Sequence, residues 1–257
     1  MKLRMSGAEF RNTGKVDFTS FSRFGESSYV IFARKGFWNE GEIAFGICTN
    51  QTQSIPFVVA SFGLWINRGK MIFQKGIGSM TELYIVGKSA GNDFLAITNN
   101  GSICLYNTHW NTNMDIKGHG CVAVGSDSRL EISFARGENA VQNTQTIYLE
   151  SPASVLAISG LTSLLTPPFI NIAGFGQHNW IDLDIEFNNL TTEYDYFGHS
   201  GLLVIKLSKR QVVQIQIGES YDLRYLKLTS GPAGSRLVYE LPSPNTPPSA
   251  CSCKPIC

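Results

Sequence analysis

Three carboxylates occur at every second position of the segment HNWIDLDIEFNN, which runs from His178 to Asn189. They are Asp182, Asp184 and Glu186. Alternate residues of a β-strand lie on one face, about 6.6 Å apart, so the spacing predicts a row of carboxylates. The opposite face would carry Ile181, Leu183, Ile185 and Phe187. Such a row can hydrolyse a sugar, bind calcium or keep one face of a sheet soluble.

The run D-L-D-I-E resembles the E-x-D-x-E strand of laminarinase-like glycoside hydrolases, which are jelly-roll proteins. The resemblance implies a nucleophile at Asp182, an acid/base at Glu186 and Asp184 between them. Retaining hydrolysis needs carboxyls about 5 to 5.5 Å apart. A flat strand holds positions i and i+4 about 13 Å apart, so the strand would have to be bent or bulged. An aspartate is also one methylene shorter than the family's glutamate. We therefore predict that these residues are not a catalytic set and that the chain is not an enzyme.

Other catalytic and cofactor signatures are missing from the sequence. The histidines, His109, His119, His178 and His199, are scattered, and there is no G-x-S-x-G elbow and no Cys/His signature. The glycines lack the strand-to-helix context of a phosphate-binding loop. Charged residues make up 16% of the chain with a net charge of +1, which gives no general field for nucleic acid or anionic membrane. We expect no cofactor, no nucleic-acid partner and no membrane insertion.

Six cysteines fall into two groups. Those in apolar runs are Cys48, Cys104 and Cys121, and those in the last seven residues are Cys251, Cys253 and Cys257. Single cysteines in strand-like runs are more often small buried hydrophobes than ligands or disulfide partners. The tail CSCKPIC has neither paired-knuckle spacing nor a nearby histidine. We expect no metal site, and whether the tail cysteines pair stays open.

Aromatic side chains beside Asn, His, Asp and Gly form a second group of candidates. They are Phe37, Trp38, Tyr106, Trp110, Trp180, Tyr194, Tyr196 and Phe197. Exposed rings next to amides suit a saccharide surface or a protein interface. From this group we predict a ligand-binding set, which is Trp38, Trp110, Trp180, Tyr194 and Tyr196. The alternative is that most of these rings are core or edge residues.

Period-two patterning and turn residues run through the chain, and no window sustains an amphipathic helix over three turns. The sequence therefore predicts an all-β protein built of antiparallel β-sandwich or jelly-roll units. Asn100-Gly101 suits a two-residue type I′ turn, and Asn67 to Gly69 suits a three-residue loop. Both predict hairpins. We expect no internal repeat.

The organisation predicted from these patterns has four parts. Residues 1–20 form an N-terminal arm, 21–150 a first β-sandwich domain and 151–242 a second. A Pro/Cys-rich tail, 243–257, lies outside both cores, because each proline lacks a ladder donor. The N-terminus lacks the apolar segment of a signal peptide, so we expect a soluble product made in a cytoplasm.

Residues 28–136 resemble the short, glycine-punctuated β-modules of bacteriophage tail fibres and receptor-binding proteins. The stretches that carry the resemblance are YVIFARKGFWNEGEIAFGI, ELYIVGKSAGNDFLAIT and SICLYNTHW. It implies a virion structural protein of the tail, working as a homotrimer in tail assembly or host attachment. Its partners would be other virion tail proteins and a host-surface glycan or protein. The alternatives are a glycan-cleaving jelly roll and a non-viral carbohydrate- or protein-binding module.

Overall fold

The computed structural model describes residues 2–22, 26–49, 55–88, 96–112, 114–134, 140–188 and 190–257. Within these ranges the regular structure is almost entirely β-strand, with short 3₁₀ segments at Leu161–Ser163, Leu223–Tyr225 and Ser249–Cys251. The strands are β1 (Lys2–Asn12), β2 (Lys15–Ser20), β3 (Ser28–Asn39), β4 (Glu42–Ile47), β5 (Phe57–Asn67), β6 (Lys70–Lys75), β7 (Thr81–Lys88), β8 (Ala96–Asn99), β9 (Ser102–Tyr106), β10 (Thr108–Thr112), β11 (Asp115–Lys117), β12 (Cys121–Val124), β13 (Arg129–Ser133), β14 (Thr146–Leu149), β15 (Val155–Ser159), β16 (Phe169–Ala173), β17 (Trp180–Leu183), β18 (Thr192–Phe197), β19 (Leu202–Leu207), β20 (Arg210–Gln216), β21 (Leu226–Gly231) and β22 (Gly234–Tyr239). The prediction of an all-β protein is confirmed.

The strands form two sheets that face each other across the core. The front sheet has 12 strands, in the order β1-β3-β5-β7-β10-β13-β15-β17-β22-β21 with β8 and β11 to the side. The back sheet has 10, in the order β18-β19-β20-β16-β14-β12-β9-β6-β4-β2. The chain alternates between the sheets, and each strand from β3 to β16 pairs in parallel with a strand of the preceding turn. This arrangement is a β-solenoid, so the prediction of β-sandwich or jelly-roll units is wrong.

The two predicted hairpins are corners of the solenoid. β8 pairs with β5 and β11 in the front sheet, whereas β9 pairs with β6 and β12 in the back sheet. Asn100 and Gly101 therefore lead the chain from one sheet to the other. Asn67 to Gly69 does the same between β5 and β6. Asn and Gly favour a sharp bend, but the bend alone does not decide which strand supplies the hydrogen-bond partner.

A ladder of side-chain amides runs through these corners. Asn12 donates to Asn39 across 2.9 Å, Asn39 donates to Asn67 across 2.8 Å, and Asn67 donates to Asn99 across 2.8 Å. Asn99 then donates to the Oε1 atom of Gln145 across 3.1 Å. The ladder residues are at most 6% exposed. Stacked amides of this kind satisfy buried polar groups along a column of parallel strands. The motif N-x-G at residues 12, 39, 67 and 99 is therefore an internal repeat, and the expectation of none is wrong.

Glycine follows each of these four asparagines by two residues and allows successive corners to stack closely. A Cβ added to Gly69 would lie 1.9 Å from the carbonyl oxygen of Gly41. The same separation applies between Gly101 and Gly69. No side chain fits such a gap, so the repeat requires glycine at these positions.

The core lies between the two sheets, and parallel register places similar rings above one another. Phe45 and Phe73 stack at 4.9 Å with an interplanar angle of 2°, and Phe37 and Trp65 stack at 4.9 Å. Stacked rings of this kind add about 0.5 to 1.5 kcal/mol per pair beyond the area that they bury. Trp110 lies in the same core and is 0% exposed.

Pairing becomes antiparallel near the C-terminal end of the solenoid. β22 pairs antiparallel with β17 and β21, and β19 with β18 and β20. Parallel pairing crosses residue 150 without a change of register, as β13 pairs with β15 and β14 with β16. The division into domains at 21–150 and 151–242 stays a prediction about independent folding.

Candidate functional site

The three carboxylates of the acidic segment have three different surroundings. Asp182 lies on β17, is 0% exposed and faces away from the core side chains Ile181 and Leu183. Asp184 follows the end of the strand, where its carboxylate accepts hydrogen bonds from the backbone N–H groups of Gly160 at 2.5 Å and Leu161 at 3.3 Å. Glu186 is exposed. The predicted single row of carboxylates is wrong, because β17 ends at Leu183.

Two arginines hold Asp182. The Nε and Nη2 atoms of Arg236 donate to the Oδ1 and Oδ2 atoms of Asp182 at 2.7 and 3.1 Å. Arg129 donates to the Oδ2 atom of Asp182 at 3.2 Å and, through Nε, to Glu131 at 2.6 Å. Ala157 stands in register between Glu131 and Asp182, and its small side chain leaves room for the guanidinium of Arg129. A forked guanidinium on a carboxylate is among the stronger charge-assisted contacts. The positive charges of the two guanidinium groups therefore offset the cost of burying the Asp182 carboxylate.

Further polar contacts extend from these residues across the outer face of the front sheet. His109 contacts Glu82 at 2.7 Å through Nδ1 and Glu131 at 3.3 Å through Nε2. We call the set of Glu82, His109, Glu131, Arg129, Asp182 and Arg236 the charged row. It joins β7, β10, β13, β17 and β22. Each acid of the row lies beside an arginine or a histidine, so the row is built of contacts among its own side chains.

Two of the predicted ligand-binding aromatics lie on this same outer face. Trp180 is half-buried beside the charged row, with the guanidinium of Arg236 4.5 Å from its ring centroid. Trp38 is half-buried over Gly36, and the guanidinium of Arg11 lies 5.7 Å from its ring. Both rings therefore take part in cation–π contacts. Ligand binding by Trp38 and Trp180 stays a prediction.

The other three predicted aromatics are placed differently. Trp110 is enclosed in the core and offers no surface to an external ligand. The hydroxyls of Tyr194 and Tyr196, on β18, donate to the backbone oxygens of Leu226 at 3.0 Å and Gly218 at 2.8 Å. Core and surface rings could not be told apart from sequence, because the face of each depends on the register of its strand.

Three disulfides fasten the C-terminal tail to the back sheet. They join Cys48 to Cys257, Cys104 to Cys253 and Cys121 to Cys251, across 209, 149 and 130 residues of sequence. The expectation that the first three cysteines are unpaired hydrophobes is wrong. Disulfides persist in oxidising compartments, so the cytoplasmic expectation is also wrong. One feature of the sequence could have indicated that a segment covers these cysteines. β9 and β12 are apolar at nearly every position, which indicates strands covered on both faces.

The tail crosses the outer face of the back sheet. Ile256 and Cys253 pack on Ile72, Cys104 and Tyr106, whereas Cys251 packs on Cys121 and Ala123. Polar contacts fix its path. The backbone N–H groups of Ile256 and Cys257 donate to Gln74 Oε1 at 2.5 and 3.0 Å, and Ser102 donates to the Ala250 carbonyl at 2.6 Å. The outer faces of the two sheets therefore differ in exposure. The tail covers part of the back sheet, whereas Phe62 and Tyr84 on the outer face of the front sheet are 62% and 48% exposed.

A half-buried carboxyl, that of Glu150, lies near the tail on the back sheet. The hydroxyl of Tyr106 donates to Glu150 Oε1 at 3.3 Å, and Glu150 Oε2 is buried with no hydrogen-bond partner among the described residues. Burial raises the pKa of Glu150, and the hydrogen bond from Tyr106 lowers that pKa by less. Within the described ranges no group of three or more His, Cys, Asp or Glu residues could hold a metal ion. No helix in those ranges is long and apolar enough to span a bilayer.

Comparison with known proteins gives a match over the whole chain. The family model described as "Hyphally regulated cell wall protein N-terminal" matches residues 1–257. Hyphally regulated cell wall protein 3 of Candida albicans is 27% identical over 95% of this chain and 19% of its own length. Cell wall protein IFF3 of Candida albicans is 30% identical over 95% of this chain and 26% of its own length. Cell wall protein RBR3 of the same organism is 28% identical over 96% of this chain and 16% of its own length. The chain thus spans about a quarter or less of these relatives.

These matches show that the bacteriophage interpretation is wrong. The relatives are fungal cell wall proteins, so the virion location, the virion tail partners and the receptor-binding role in host attachment do not hold, and the glycoside hydrolase and carbohydrate-module alternatives are unsupported. The glycine-punctuated strands that suggested a phage protein are turns of the solenoid. The homotrimer was implied by the same resemblance, and the comparisons give no support for it. The apolar residues Val204 and Val212 of β19 and β20 illustrate why the fold does not require one. They are 2% and 3% exposed within a single chain, so no sister subunit is needed to cover them.

Proposed function

The chain belongs to the hyphally regulated cell wall protein N-terminal family, and we propose that it serves as a rigid, non-enzymatic domain of a fungal cell wall protein. The observation that carries this proposal is the covalent attachment of the tail to three different turns of the solenoid. Each disulfide closes a loop of more than 100 residues. In the chain-entropy account, a single cross-link of that span stabilises a fold by about 5 kcal/mol when no other cross-link is present. A domain exposed outside the cell benefits from resistance to local opening and proteolysis.

The described polar contacts support a structural role for the acidic segment. Asp182 binds two guanidinium groups, and Asp184 binds two backbone N–H groups. Both carboxylates are therefore occupied as hydrogen-bond acceptors. Catalysis by a carboxylate requires access to a substrate, and a carboxyl that is 0% exposed lacks it.

The outer face of the front sheet is the surface through which we propose that the domain contacts other macromolecules of the wall. It carries the charged row beside half-buried and exposed aromatic side chains. The outer face of the back sheet is partly occupied by the tail. Because the chain spans about a quarter or less of its relatives, this proposal concerns the domain and not the activity of a longer protein.

Surface labelling of the cells that make this protein tests the proposed location. Antibodies raised against the folded chain should stain intact cells, and brief protease treatment of intact cells should remove the staining. Alkylation with N-ethylmaleimide before reduction should leave all six cysteines unmodified, because all six are paired. Staining that requires permeabilised cells, together with reactive thiols, would overturn the proposal.

A further inference from the structure

A groove of about 330 Å³ opens on the outer face of the front sheet where β1 pairs with β3. Its lining residues are Arg4, Ser6, Gly7, Phe32 and Arg34. Ser6 and Phe32 are in register, so the groove is centred on this pair of positions. Both arginines are exposed.

A bulge creates this arrangement. The register of β1 and β3 shifts between Gly7/Ala33 and Glu9/Gly36, which leaves Arg34 and Lys35 without paired partners on β1. Bulges re-aim side chains and are frequent beside functional sites. Here the bulge brings Arg34 to the groove that Arg4 also lines.

Neither arginine of the groove has a carboxylate within 4.0 Å among the described residues, in contrast to Arg129 and Arg236 on the same face. Like charges that share a site repel, so two unpaired guanidinium groups favour an anion between them. Glu9 lines an adjoining cleft of about 100 Å³ that shares Ser6, Gly7 and Phe32 with the groove, and it forms no ion pair with either arginine in the described structure. The groove is therefore positively charged with one acid at its border.

Phe32 gives the groove an apolar wall. Its ring meets that of Phe62 edge to face at 5.0 Å, and Phe62 is 62% exposed. A volume of 330 Å³ exceeds what one oxyanion fills, so the wall leaves space for a larger body attached to the anion.

We propose that this groove binds a phosphate monoester carried on an organic group. A phosphate monoester has a charge of about −1.5 to −2 at neutral pH, which matches two guanidinium groups. The forked guanidinium geometry fits its terminal oxygens. Its organic group lies against Phe32.

Phenyl phosphate is the probe, and binding to the intact chain is measured by calorimetry and by amide chemical shifts at low ionic strength. The double substitution Arg4→Gln with Arg34→Gln should weaken binding by about tenfold or more. The matched control is Arg68→Gln with Arg224→Gln, which removes the same charge from residues paired with Glu40 and Asp222. The control should bind as the parent does.

Two further comparisons separate this site from diffuse attraction. Glu9→Gln should strengthen binding, because it removes the acid at the border of the groove. Phenyl phosphate should bind more tightly than inorganic phosphate, through Phe32, and more tightly than phenyl sulfate, through its second charge. Equal affinity for the double variant and its control would overturn the proposal, as would equal affinity for phenyl phosphate and inorganic phosphate.

Discussion

The side-chain amide of Asn39 donates to the side-chain oxygen of Asn67, 2.8 Å away and 28 residues later in the chain. Both side chains are 0% exposed. This contact repeats from Asn12 to Asn99 and links the corners of successive turns. The corners are therefore fixed by side chains as well as by strand pairing.

Asn67→Ala tests the ladder. The substitution removes the acceptor for Asn39 and the donor for Asn99, and it leaves both groups buried without that partner. Each unsatisfied buried group costs about 1 to 3 kcal/mol, so we expect a loss of about 3 kcal/mol in the free energy of unfolding. Urea denaturation measures it. Asn111→Ala, at an exposed position of β10, should change stability by less than about 0.5 kcal/mol, and an equal loss in both variants would contradict the prediction.

Gly69→Ala tests the close stacking of the corners. The added methyl would lie 1.9 Å from the carbonyl oxygen of Gly41, so the backbone must shift. We expect a loss of about 2 to 3 kcal/mol, at the upper end for overpacked sites. Gly14→Ala is the matched control, because a Cβ there meets no atom within 4 Å. Thermal unfolding of the two variants should separate them, and similar midpoints would show that the corners are not sterically limited.

Asp182→Ala tests the charged row. The substitution leaves the guanidinium groups of Arg129 and Arg236, each 24% exposed, without their shared carboxylate. Breaking a fully buried pair costs about 3 to 5 kcal/mol, and partial exposure of the arginines reduces our expectation to about 2 kcal/mol. Glu186→Ala, which removes an exposed carboxylate from the same segment, should be nearly neutral in chemical denaturation. A neutral Asp182→Ala would mean that the row contributes little to stability.

Replacing Cys104 and Cys253 together by alanine tests the tail attachment. Loss of this cross-link should lower the free energy of unfolding by about 2 to 4 kcal/mol, with the other two disulfides still formed. Guanidinium denaturation gives the stability, and mass spectrometry after alkylation verifies the remaining pairs. An unchanged stability would show that the other two disulfides suffice to hold the tail.

Glu150→Gln should make stability less dependent on pH. Because burial raises the pKa of Glu150, the folded chain holds this proton more tightly than the unfolded chain does. Its contribution to stability is therefore greatest below the ordinary carboxyl pKa and declines as the pH rises through the raised value. We expect the variant to be more stable than the parent at pH 7 and to lose that advantage in acid. Thermal midpoints measured across this range check the sign, and a parent that gains stability relative to the variant at higher pH would contradict it.

Part of this architecture could be predicted from sequence. Period-two patterning indicated strands, and the Asn-Gly pairs marked sharp bends at the correct places. Spacings of 27, 28 and 32 residues between Asn12, Asn39, Asn67 and Asn99 also carry the repeat, which identifies a solenoid once it is recognised. The acidic segment gave a misleading signal, because alternation continued past Leu183, where the strand ends.

The sequence by itself determined the β-rich local structure and the corners, because these depend on the conformational preferences of neighbouring residues. Tertiary structure alone decided the cysteine pairing, since six cysteines allow 15 pairings and the observed ones span 130 to 209 residues. It also placed Trp110 inside and Trp180 outside, and it set Asp182 between two arginines from other strands. Each of these outcomes depends on which strand lies beside which. In a solenoid, that neighbour comes from another turn of the chain and is fixed by the stacking of all the turns together.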